Sequence, residues 1–81
     1  MRLDLPHILI VDDDKRILQL INDYLIKNNF RISTANNALK AREKIENIEF
    51  DLIILDIMMP GESGLKLTDT LKKNNFKTPI L

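Results

Sequence analysis

The sequence contains no cysteine. That absence removes disulfides, thiolate metal sites and cysteine nucleophiles together, and it suits a reducing compartment. Net charge is also missing, because 12 Lys and Arg stand against 12 Asp and Glu. Nothing global attracts a polyanion, so direct nucleic-acid binding has no electrostatic support. Long hydrophobic runs are absent as well. The first apolar run, Ile8-Leu9-Ile10-Val11, stops at three aspartates. A secretion signal needs a longer stretch, and a membrane span needs about 20 apolar residues. The expectation is a cytoplasmic chain with no membrane contact. Its 81 residues allow one small domain, and a domain of that size buries only about 60–65% of its unfolded surface.

What is present is a rhythm. Ile8-Leu9-Ile10-Val11 ends in Asp12-Asp13-Asp14, and Leu52-Ile53-Ile54-Leu55 ends in Asp56. Both runs are continuous and branched, as strands are when helices cover both faces of a parallel sheet. Between them, Ile17, Leu20, Ile21, Tyr24 and Leu25 form a helical stripe, with Asp14 as its cap and Asn28-Asn29 as its end. Residues 30–35 alternate and read as an edge strand. Asn36 or Asn37 caps a second helix whose inward stripe is Ala38, Ala41, Ile45 and Ile48. Pro60 and Gly61 make a loop after Asp56. Ser63 caps a third helix from 64 to about 75, with Leu67 and Leu71 inward. Pro79-Ile80-Leu81 reads as the start of a fourth strand. The order β-α-β-α-β-α-β argues for an open parallel α/β sheet, without repeats or linkers.

Two strand ends therefore deliver acids. In doubly wound sheets of order 2-1-3-4, the first and third strands are neighbours at the switch point, where ligands bind beyond the carboxyl ends. Asp12, Asp13 and Asp56 should meet there. Two like charges at about 4 Å repel by roughly 4 kcal/mol at an effective dielectric near 20. A hard divalent cation such as Mg²⁺ is the simplest remedy. It would also neutralise a phosphoryl group approaching a carboxylate nucleophile. Asp14 alone reads as a helix cap. His7 reads as a solvated or edge residue ahead of the first strand, and Lys66, Lys72 and Lys73 as a solvated helix face.

These two acidic motifs, with the tract Asp56-Ile57-Met58-Met59-Pro60-Gly61 and the following Glu62-Ser63-Gly64-Leu65, resemble response-regulator receiver domains of bacterial two-component systems. The last tract is similar to the OmpR-type regulators. The resemblance runs along essentially the whole chain. It implies a flavodoxin-like open parallel sheet and a phosphoacceptor rather than an enzyme. Asp56 takes the phosphoryl group, Asp13 binds Mg²⁺ directly and Asp12 binds it through water. The backbone carbonyl of Met58 completes the metal shell, and a sensor histidine kinase is the donor. Against that family, residues 1–81 are expected to be a receiver incomplete at its C-terminus. Strand 5, helices 4 and 5, the strand-5 lysine and the strand-4 Ser or Thr would all be missing. Signal output is then expected to be reduced, and self-association or domain swapping to follow from uncovered sheet. The alternatives are an interaction fragment without phosphotransfer, or the remnant of a decayed gene, binding a kinase or a full-length regulator. A metal-dependent phosphatase fits less well, because such enzymes place two aspartates around a nucleophile on one strand.

Overall fold

The two apolar tetrads become neighbouring parallel strands. In the computed structural model, which describes residues 5–56, 63–74 and 77–81, β1 (His7–Val11) pairs with β3 (Leu52–Leu55) in the register Ile8 to Leu52 through Val11 to Leu55. On the other side, β1 pairs in parallel with β2 (Arg31–Ala35), His7 opposite Arg31 and Val11 opposite Ala35. The sheet order is β2-β1-β3. The fourth segment takes its expected place beside β3, but as a single parallel bridge between Ile53 and Ile80. Ile53 N–H donates to Pro79 O at 3.0 Å, and Leu81 N–H donates to Ile53 O at 2.8 Å.

Side chains alternate across a strand, which sorts β1 into two cores. Leu9 and Val11 pack with Ala35, Ala38, Ala41, Phe50, Ile53, Leu67 and Leu71. Ile8 and Ile10 pack with Leu18 on the opposite face. Helix α1 (Lys15–Lys27) covers the second face, while α2 (Ala38–Asn47) and α3 (Gly64–Lys73) cover the first. Burial on both faces is why the tetrads carry no polar alternation.

The helix boundaries follow local chemistry. Asp14, Asn37 and Ser63 each accept a backbone N–H from the first turn of the helix they cap. Asn29, just beyond α1, sits at φ 68°, a left-handed conformation that Asn tolerates better than other residues with a Cβ.

Three sequence expectations need correction. The inward stripe of α1 is Leu18, Ile21 and Leu25, whereas Ile17, Leu20 and Tyr24 are exposed. Seven of the thirteen residues of α1 are apolar (Ile17, Leu18, Leu20, Ile21, Tyr24, Leu25 and Ile26). Periodicity therefore could not fix which arc faces the sheet. His7 does not precede β1 but begins it. Its Nε2 lies 2.8 Å from Ser33 Oγ, and its ring meets Phe50 edge-on at 4.7 Å. Ile48 lies just beyond α2, as its C-cap, and is exposed. Among the described residues, no helix is long and apolar enough to cross a membrane.

Candidate functional site

The site grows from two strand ends tied by one backbone bond. Asp56 N–H donates to Val11 O at 2.9 Å, and Asp12 N–H donates to Ala35 O at 3.1 Å. These continue the ladder one residue beyond β1 and β3, so Asp12 and Asp56 leave the sheet side by side. One carboxylate oxygen from each of Asp12, Asp13 and Asp56 lies within 4.8 Å of the others. Asp12 and Asp56 are half-buried, and Asp13 is exposed.

The three consecutive aspartates are divided in role by local hydrogen bonds. Asp14 turns away: its Oδ1 accepts Arg16 N–H at 2.9 Å, and its Oδ2 lies 3.5 Å from Arg16 Nη2. The Arg16 side chain, then the Arg16 amide, hold the Asp14 carboxyl below its usual range. The backbone N–H of Asp14 meanwhile donates to Asp12 Oδ1 at 2.9 Å. That bond braces the Asp12 carboxylate toward Asp13 and Asp56. The brace was not read from the sequence, although its signal is there. An aspartate commonly bonds the backbone two residues on, and Asp12 and Asp14 have that spacing.

All three donors are carboxylate oxygens, which suits a hard cation and not a soft one. One oxygen of Asp12 is already held by an amide, so the donor set is oriented and not merely acidic. The residues present therefore fit Mg²⁺. Met58, whose carbonyl belongs to the expected metal shell, lies outside the described residues.

Comparison with known proteins decides the family. The model for the response regulator receiver domain matches residues 8–81. The chain belongs to the response-regulator receiver family. It is 50% identical over 76 residues to Protein PetR of Rhodobacter capsulatus, covering 94% of this chain and 32% of PetR. Transcriptional regulatory protein ResD of Bacillus subtilis is 39% identical over 74 residues, covering 91% of this chain and 30% of ResD. The chain thus spans about a third of the length of these curated relatives. Among solved structures, response regulator protein TrrA of Thermotoga maritima in complex with Mg²⁺-BeF superposes with a TM-score of 0.88. It shares 37% identity over 94% of this chain and 66% of TrrA. TrrA has also been solved in complex with the histidine kinase ThkA, and that copy superposes with a TM-score of 0.87. Receivers of this family serve two-component systems, in which magnesium and phosphorylation are typical.

Proposed function

We propose that this receiver accepts a phosphoryl group on Asp56, taken from a phosphohistidine of a sensor histidine kinase. The observation that carries this reading is the meeting of Asp12, Asp13 and Asp56 within 4.8 Å at adjacent strand ends. An Oδ atom of Asp56 forms a bond to phosphorus as the bond from phosphorus to the imidazole nitrogen breaks. The nitrogen keeps the electron pair, and Asp56 becomes an acyl phosphate. Asp13 and Asp12, with Asp56 and the carbonyl of Met58, would hold Mg²⁺. When bound, the ion would supply positive charge to offset that of the phosphoryl group. The protein's own part is positioning: the Val11 bond fixes the backbone at Asp56, and the Asp14 amide fixes the Asp12 carboxylate.

Incubation with acetyl phosphate and Mg²⁺ tests the reading by intact mass. One phosphoryl group should appear on the wild type and vanish in Asp56→Asn and in EDTA. No adduct on the wild type, or an equal adduct on Asp56→Asn, defeats it. A cytoplasmic site of action goes with this function.

A second reading has its own observation. Ile17, Leu20 and Tyr24 expose an apolar stripe along α1. That stripe favours docking to a kinase or to a full-length regulator without phosphotransfer, and it equally offers a surface for self-association. Kinase binding unchanged by Asp56→Ala supports the docking reading. Light scattering that finds only monomer at high concentration removes self-association.

A further inference from the structure

The edge of the sheet at β2 is a second feature, independent of the acidic site. Arg31 N–H donates to Pro6 O at 2.8 Å, and Ala35 O accepts Asp12 N–H at 3.1 Å, so both residues turn their backbone groups toward β1. In a parallel ladder, the residues that bond one neighbour recur at every second position. Ser33 therefore joins Arg31 and Ala35, while Ile32 and Thr34 direct their N–H and C=O groups away from β1. Among the described residues no strand lies on that side, because β2 is the end of the order β2-β1-β3. The outward carbonyl of Thr34 accepts a hydrogen bond from Lys44 Nζ, reaching over from α2.

A groove of about 650 Å³ opens between α1 and α2 at the C-terminal end of this edge. Thr34 and Ala35 line it, and Lys15, Lys40 and Lys44 face a single glutamate, Glu43. The chain as a whole is neutral, so this balance is local.

We propose that the β2 edge and its groove dock an extended acidic segment of a partner protein. The segment pairs its backbone with Ile32 and Thr34 and sets carboxylates against Lys15, Lys40 and Lys44. Strand addition supplies the main-chain bonds, and the flanking side chains supply selectivity. Lys44 is displaced without loss: its ammonium exchanges a neutral carbonyl for a carboxylate, a stronger acceptor. The released Thr34 carbonyl then accepts a partner N–H. A second copy of this chain is a poor occupant, since pairing β2 with β2 sets three ammonium groups against three. The lysines thus close the edge to self-pairing and leave it open to acidic strands.

The test titrates the ¹⁵N-labelled full chain with a capped peptide of alternating Glu and Val, and in parallel with the Gln-Val analogue and with pyrophosphate. The acidic peptide should shift the Ile32 and Thr34 amides and slow their hydrogen exchange at least tenfold. The Gln-Val peptide should bind at least tenfold more weakly. Lys40→Glu with Lys44→Glu should weaken the acidic peptide at least tenfold while the thermal midpoint is kept. If that pair fails to fold, Lys40→Gln with Lys44→Gln replaces it. The proposal is overturned if the acidic peptide leaves both edge amides unprotected. It is overturned equally if pyrophosphate reproduces the shifts, or if the Gln-Val peptide binds as tightly.

Discussion

The amide of Asp56 is bonded to the carbonyl of Val11 at 2.9 Å. This one hydrogen bond joins the two acidic strand ends, 44 positions apart in sequence. The backbone at Asp12 and at Asp56 is held by ladder bonds, and both residues are half-buried, so these two carboxylates stay close while Asp13 sits exposed beside them. Removing a charge or adding a counter-charge should therefore register as stability.

Asp13 is the sharpest place to look. Asp13→Asn removes one of three like charges, and at that exposed position the relief is on the order of 1 kcal/mol. In metal-free buffer the variant should unfold at a higher temperature than the wild type. Mg²⁺ should reverse the order. At a hundredfold excess over Kd, the wild type should gain about 2.7 kcal/mol, and Asp13→Asn much less. Calorimetry with and without Mg²⁺ reads both effects, and an equal response in the two proteins refutes the placement of the ion.

The phase of α1 can be tested with two leucines. Leu18 is 8% exposed and packs on Ile8 and Ile10, while Leu20 is 71% exposed. Leu18→Ala should cost about 2–4 kcal/mol in urea unfolding. Leu20→Ala should change stability by no more than about 0.5 kcal/mol. Equal costs would restore the stripe that periodicity suggested.

The single histidine makes pH dependence readable. Partial burial, then the nearby Arg31 charge, lower the pKa of His7 below 6.5, against an opposing pull from Asp51. The unfolded chain thus binds a proton more readily than the folded one. Stability from the neutral imidazole is full above about pH 6.5 and declines as pH falls through the lowered folded value. NMR titration of the His7 ring should give a midpoint under 6.5. Replacing Arg31 with Gln should move that midpoint upward, and a midpoint above 6.5 in the wild type contradicts the packing described.

Asn29 tests the end of α1. At φ 68° a β-branched residue is strained, so Asn29→Val should cost about 1–2 kcal/mol. Asn29→Gly should be neutral or stabilising, because glycine has no Cβ to clash. Thermal melts of the two variants should therefore separate in opposite directions from the wild type or, for glycine, coincide with it.

Much of this molecule was legible along the chain because its signals are local. Short-range hydrogen bonds end helices, so Asp14 and Ser63 could be named as caps from residue type and position, and the cap of α2 narrowed to Asn36 or Asn37, of which the structure uses Asn37. Apolar tetrads such as Ile8-Leu9-Ile10-Val11 have few homes besides a sheet covered on both faces, so the class followed from them, and the strand order from the doubly wound fold type. The acids after each tetrad were also plain, because strand ends of a parallel sheet share one rim.

The rest needed three dimensions. On α1 the choice of Leu18 over Leu20 depends on which arc meets Ile8 and Ile10, and an apolar-rich helix offers more than one arc. The brace from Asp14 N–H to Asp12 Oδ1 depends on a turn geometry that several tripeptides could adopt. The reach of Lys44 to Thr34 crosses from one element to another ten residues away and leaves no mark in composition. Sequence by itself determined the family, the elements and the acids at their ends, since each is written in neighbouring residues. Tertiary structure alone decided which faces are buried, how the Asp12 carboxylate is aimed, and that three lysines share the open edge of β2, since those depend on distances between segments.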